Sequence, residues 1–185
     1  MSKFSSNLPL WQPVQIFEQF IDDRDCQSYR FAKIGTQTWM VENLAFEITP
    51  GSKIYRDDPA NLTKYGRLYD FETAKKACPR GWHLPCKEEW EKLINFSRSP
   101  DSNDFKVPEA WKENRKGDTL GFAALPGGYC DSDGFHDVGK VGYWWVAPDN
   151  SGNAYRLRIS YNYDDILYNE FDKNSLLSVR CVKDC

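Results

Sequence analysis

The chain has 185 residues, of which 41% are hydrophobic and 28% charged, with a net charge of −3. That is enough for one domain with a short extension, and the composition excludes disordered, collagen-like and low-complexity classes. No run of about 18 apolar residues predicts a membrane span, and no Lys/Arg-rich block of about 5–8 residues supports a nucleic-acid partner.

The aromatics set the class. Seven Trp, 10 Tyr and 11 Phe stand against 2 Met, with 12 Gly and 10 Pro as punctuation. Aromatics favour strands and bury large areas, so many short strands and loops are expected rather than a helix bundle.

In chain order, residues 1–25 read as an N-terminal extension. Met1–Leu10 carries no apolar signal-peptide core and no small-residue cleavage site. Pro13 suits the first turn of a short helix that would place Ile16, Phe17, Phe20 and Ile21 on one face. Its expected use is to cover the domain, with partner docking as the alternative. The domain is set at 26–185. Tyr29–Ile34 and Thr38–Leu44 read as two strands around a turn at Gly35. The stretch 45–67 reads as irregular. Asp70 is a good N-cap for a helix over Phe71–Ala77. A second helix is expected over Lys87–Arg98, with Glu89 as the acid of a capping box behind Cys86 and Trp90, Leu93 and Ile94 on its buried face.

Residues 99–119 are polar and read as a surface excursion. Phe122–Leu125, Gly142–Ala147, Ala154–Ser160, Ile166–Asn169 and Ser178–Val182 read as short strands between Gly- and Asp-rich turns. A hairpin, two helices and then antiparallel strands make an α+β domain.

Six cysteines (Cys26, Cys78, Cys86, Cys130, Cys181 and Cys185) show no C-x-x-C spacing, which argues against zinc. Either a disulfide framework outside the cytosol or a set of buried thiols fits them.

Long stretches then carry a resemblance. Lys33–Leu44 (KIGTQTWMVENL), Tyr65–Trp90 (YGRLYDFETAKKACPRGWHLPCKEEW), Ala124–Gly128 (ALPGG), Gly142–Trp145 (GYWW) and Leu177–Asp184 (LSVRCVKD) resemble, in order, the Fibrobacter succinogenes major paralogous domain. The resemblance implies a bacterial protein, secreted or surface-attached, hence an extracellular or cell-surface location, with the cytoplasm as the alternative because Met1–Leu10 does not read as a signal peptide. It also implies a C-type-lectin-like fold, two helices with short antiparallel strands and long loops, whose terminal strands lie side by side. No activity is established for that family as a whole. A disulfide from the first helix to the last strand is common in lectin-like folds, which implies that Cys78 pairs with Cys181. Cys26 and Cys86 stand where the family usually has Gly and Ser, so no further bridge is implied for Cys26, Cys86, Cys130 or Cys185.

Functional candidates divide by chemistry. His83, in Trp82-His83-Leu84-Pro85, has no matching nucleophile and reads as a packed His bonded to backbone; His136 reads as a loop residue. Asp131-Ser132-Asp133-Gly134, with Asp137 close by, opens like a calcium loop. It lacks the distal Glu and the remaining oxygen ligands. No cofactor is therefore expected, and Asp131, Asp133 and Asp137 remain only as weak candidate Ca²⁺ ligands. The Glu-Pro-Asn, Gln-Pro-Asp and Trp-Asn-Asp motifs of calcium-dependent lectins are absent from the sequence. So is any cysteine motif of the sulfatase-modifying relatives that the lectin-like resemblance brings in.

Tyr155–Phe171 is the richest segment. Arg156 and Arg158 alternate with Leu157 and Ile159, followed by Tyr161, Tyr163, Asp164, Asp165, Tyr168 and Asn169. Tyr, Asn and Asp in loops suit adaptable binding surfaces. The expectation is a non-catalytic module that holds a glycan or protein ligand through these eight residues. A structural component of a surface or phage-like assembly is the alternative, and an enzyme akin to the sulfatase-modifying group comes third.

Overall fold

The structure, a computed structural model, describes residues 16–97, 101–112 and 117–184. The N-terminal part of the expected helix, residues 1–15, lies outside these. Its remainder is not helical: Glu18–Ile21 is a strand, β1, paired antiparallel with β2, Ser28–Ile34, so that Phe20 sits opposite Tyr29. Pairing satisfies the backbone and stacks Phe20 on Trp82 at 4.9 Å, a contact that outweighs the weak helical spacing of four apolar residues. Just beyond, the buried Asp22 carboxylate holds Arg24 at 2.7 Å, and Arg24 Nη1 donates to the Ala77 carbonyl.

β2 and β3, Gln37–Met40, form the expected hairpin around Gly35. β4, Ser52–Lys53, is followed by α1, Pro59–Tyr65. The reading of 45–67 as irregular is thus corrected. Asp58 accepts from Ala60 N–H and Pro59 fills the first helical position, which together start the helix. After β5, Leu68–Tyr69, comes α2, Phe71–Ala77, capped by Asp70 on Thr73 N–H at 2.7 Å. β6 is Trp82–His83 and α3 is Lys87–Phe96, where Glu89 accepts from Cys86 N–H at 2.9 Å as expected. The described helices number three, not two.

The polar stretch 99–119 is also corrected. Among its described residues are two 3₁₀ turns, Ser102–Phe105 and Pro108–Ala110, and Phe105 and Trp111 are buried. Phe122–Leu125 is not a strand; only Ala124 bridges, to Lys106. β7, Tyr129–Asp131, and β8, Gly134–His136, form a hairpin. The strands β9 (Val141–Val146), β10 (Tyr155–Ser160) and β11 (Ile166–Glu170) follow close to expectation.

The last expected strand divides in two. β12, Leu177–Ser178, joins one sheet and β13, Val182–Lys183, the other. Between them Val179, Arg180 and Cys181 are wholly buried as the chain crosses from sheet to sheet.

The first sheet runs β1-β2-β3-β13-β6 and the second β11-β10-β9-β12-β5-β4. β13 pairs antiparallel with β3, Val182 opposite Trp39, so the chain closes on its own beginning. Cys78, at the end of α2, and Cys181 form a disulfide, which fastens α2 to this crossing.

At the centre, Arg180 donates to the carbonyls of Met40, Phe122 and Ala123 and twice to Asn43 Oδ1. The same oxygen accepts from Trp144 Nε1. Every residue of β9 is buried, as befits a central strand covered on both faces. This strand anchors the β10–β11 hairpin.

Candidate functional site

The β10–β11 hairpin presents two faces, and period-two alternation sorts the candidate residues between them. On one face, Arg156 lies opposite Trp145 and Asn169, and Arg158 opposite Tyr143 and Leu167. Tyr163, in the turn, reaches this side: the Arg158 guanidinium lies 5.7 Å from its ring centroid. On the other face, Tyr168 stacks on Tyr155 at 4.9 Å with near-parallel rings, and Tyr161 packs against the core. Burial pushes the Tyr168 phenol up to about 12.

Asp164 is occupied in holding the turn. Its carboxylate accepts from Asn103 Nδ2 at 2.8 Å and its carbonyl from Ser102 N–H. Asp165 is exposed. The structure therefore brings Arg156, Arg158, Tyr163 and Asn169 together and sends Tyr161 and Tyr168 inward.

The floor beneath the two arginines is aromatic. The Arg156 guanidinium stands 3.5 Å from the Phe171 ring centroid and 4.6 Å from that of Tyr143. Tyr129 packs edge-on against both rings and stacks on His136. Guanidinium over aromatic faces is a favourable contact that leaves the N–H edge available.

Sequence reasoning missed Tyr129, Tyr143 and Phe171 as parts of this face. Tyr143 falls on the Arg158 register once β9 and β10 are paired, a signal that needs the strand order. Leu167 was also missed; it is 43% exposed beside Arg158.

The Asp131–Asp137 segment is a hairpin turn. Asp131 Oδ1 accepts from Asp133 N–H and pairs with His136 Nε2, both at 2.9 Å. Slight burial raises the Asp131 carboxyl, but these bonds outweigh it and hold the group below its usual range. Asp137 accepts from the Tyr143 hydroxyl at 2.8 Å. The three carboxylates do not converge, and among the described residues no cluster of three His, Cys, Asp or Glu is placed to hold a metal. His136 is a strand residue rather than a loop residue.

His83 differs from expectation as well. It bridges two carboxylates, Nδ1 to Asp184 at 2.6 Å and Nε2 to Glu89 at 2.8 Å. Cys86 nearby is no activated thiol: burial and the neighbouring Glu88 and Glu89 push it up to about 11. Burial also raises Cys130. Neither has the depressed pKa that cysteine catalysis needs.

A cleft of about 490 Å³ opens elsewhere, lined by Tyr29, Asn43, Glu47, Lys64 and Arg67 among others. Within it Arg67 is bound to Glu47 at 2.7 Å, and it shares no residue with the arginine face.

The Fibrobacter succinogenes major domain matches residues 32–183. The chain belongs to this family. The match opens within β2 and runs through β13, so it takes in both crossing strands and the disulfide. No curated protein and no solved structure matches the chain. The family description names no ligand and no reaction. No helix among the described residues is long and apolar enough to cross a membrane, and the Cys78–Cys181 bond is compatible with an oxidising, extracellular location.

Proposed function

We propose that this family member is a non-catalytic, C-type-lectin-like binding module at the cell surface or outside the cell, and that it holds a glycan or protein ligand on the β10–β11 face. One observation carries the reading. A sheet anchored on the fully buried β9 carries an exposed rim of Tyr163 (54%), Leu167 (43%) and Asn169 beside two guanidiniums with no ion-pair partner among the described residues. A stiff base with adaptable contact groups at its edge is the usual division of labour in binding domains. The chain closure through β3 and β13 and the helix-to-last-strand disulfide support the lectin-like assignment.

A glycan array of the purified protein, run with calcium and again with EDTA, tests the reading. Hits that survive EDTA and weaken at least about tenfold in a Tyr163→Ala, Asn169→Ala variant of unchanged melting temperature support it. Hits abolished by EDTA would move the site to Asp131–Asp137. Hits indifferent to the double substitution would remove it from this face.

A second reading, a component of a larger assembly, draws on β1. This strand is the outer strand of the first sheet, and the N-terminal segment exposes Ile16 (76%), Phe17 (43%) and Ile21 (67%). An exposed apolar edge strand invites pairing with another chain. A Phe17→Lys, Ile21→Lys variant that loses its partner but keeps its glycan hits would favour assembly through this edge.

A further inference from the structure

Two features of the arginine face call for a ligand of definite charge. Arg156 and Arg158 project side by side from one face of β10, about 6.5–7 Å apart along the strand. Neither makes a hydrogen bond or ion pair among the described residues, and the Nε of each is sealed from solvent without a partner. The nearby carboxylates other than the exposed Asp165 hydrogen-bond elsewhere, and none is ion-paired with either arginine among the described residues. Asp137, whose carboxylate Arg156 feels, takes the Tyr143 hydroxyl; Asp131 takes His136; Asp164 takes Asn103; and Glu170 takes Asn153 and Tyr155.

Three other arginines here have hydrogen-bond or ion-pair partners, although the Arg67 Nε is likewise sealed without one. Arg24 meets Asp22, Arg67 meets Glu47, and Arg180 meets Asn43 and three carbonyls. Two half-buried, like-charged guanidiniums with no ion-pair partner among the described residues, on a chain of net charge −3, repel each other and lose hydration. An oxyanion bound across them would relieve both costs.

We infer that this face is an oxyanion site for an acidic saccharide, a chain carrying carboxylate or sulfate groups that dock on Arg156 and Arg158. The inference rests on the binding-module reading above. Arg156 lies over the Phe171 and Tyr143 rings and Arg158 over that of Tyr163; both residues are partly exposed, so with Nε sealed the Nη ends would meet the ligand, and a planar guanidinium fits a carboxylate or sulfate. The neighbours favour sugar. The exposed Tyr163 ring offers a flat surface for C–H groups, and the exposed Asn169 amide lies next to Arg156, where ring hydroxyls would meet it. A peptide added along the β11 edge would run beside the sheet and miss guanidiniums that project from its face.

The test uses the full chain and four named polymers: polygalacturonate, dextran sulfate, neutral dextran and polyglutamate. Calorimetry or affinity electrophoresis at low and at about 0.3 M salt reads the affinity. Binding to polygalacturonate, dextran sulfate or both is expected, weakened by salt. Arg158→Gln and Arg156→Gln are each expected to weaken it by about tenfold or more, whereas Lys76→Gln, which removes the same charge from the exposed side of α2, leaves it unchanged. Circular dichroism verifies that each variant is folded; should Arg156→Gln not fold, Arg158→Gln alone decides. Whichever acidic polymer binds separates the carboxylate source from the sulfate source.

Equal binding of polyglutamate would overturn the saccharide assignment. Equal loss with Lys76→Gln would reduce the effect to overall charge and overturn the site. Binding of neutral glycans that depends on Tyr163 but not on the arginines would overturn the oxyanion inference and leave the binding-module reading standing. No binding of any glycan would overturn both.

Discussion

Asn43 is the residue through which the core can be tested most sharply. Its Oδ1 accepts three hydrogen bonds, from Arg180 Nε at 3.1 Å, Arg180 Nη2 at 2.8 Å and Trp144 Nε1 at 2.9 Å. Arg180 is wholly buried and Asn43 is 4% exposed. Asn43→Leu keeps the number and branching of the side-chain heavy atoms and removes the acceptor. Trp144 Nε1 is then a buried donor without a partner, at a cost of about 1–3 kcal/mol. Arg180 loses two of its five hydrogen bonds while its charge stays buried, and stranding a buried charge carries several kcal/mol when nothing replaces the partner. Together these give about 3–5 kcal/mol, a large part of the roughly 5–15 kcal/mol that holds a typical domain folded.

Urea unfolding followed by tryptophan fluorescence measures this loss. With a slope of about 2 kcal/mol/M, the midpoint falls by about 1.5–2.5 M. Asn43→Asp retains the acceptor and supplies a counter-charge, but it gives up the donor to the Tyr65 carbonyl; it should lose less than Asn43→Leu. A midpoint shift under about 0.5 M in Asn43→Leu at unchanged slope, or equal losses in the two variants, would show that the three bonds do not hold the crossing.

Other outcomes follow from single contacts. Cys181→Ala opens a loop of sequence separation 103 and should cost about 2–5 kcal/mol, read as a melting temperature lower by roughly 4–20 °C; reductant should reproduce the drop in the native chain and leave the variant unmoved. Gly142→Ala places a Cβ 2.3 Å from the Trp144 ring and 2.7 Å from the Leu125 carbonyl. Such overpacking should cost about 1–3 kcal/mol in the same urea assay, and a neutral result would mean that β9 yields more than its burial implies. At His83, burial lowers the imidazole pKa, but the bonds to Asp184 and Glu89 outweigh it and the net shift is upward from 6.5. The cation is thus favoured in the folded state. Its contribution is full below about pH 6.5 and fades as pH rises through the raised value. An NMR titration should place the His83 midpoint above 6.5, and His83→Gln should flatten the fall in stability across neutral and mildly alkaline pH.

Where local chemistry alone decides a structure, the sequence was legible. Asp70 as an N-cap gave α2 to the residue, and Glu89 three places after Cys86 began α3. Arg156 and Arg158 alternating with Leu157 and Ile159 put both guanidiniums on one side of β10. α1 was legible in principle, since Asp58-Pro59 starts a helix as readily as a turn; only seven residues follow, too few for periodicity to choose.

What escaped needs distance in space. Ser178–Val182 has the pattern of one strand, yet its ends serve two sheets, because Arg180 must point to carbonyls 57 to 140 residues earlier in the chain. No local rule foretells that crossing. The same limit hid the aromatic floor: Tyr129, Tyr143 and Phe171 lie on three separate segments and meet only when β9 and β10 pair and β7 folds alongside. The sequence showed which polar and aromatic side chains gather in the segment Tyr155–Phe171. The pairing of strands set Arg156 over the Phe171 and Tyr143 rings and left neither Arg156 nor Arg158 in an ion pair among the described residues, and on that arrangement the proposed preference for a negatively charged ligand rests.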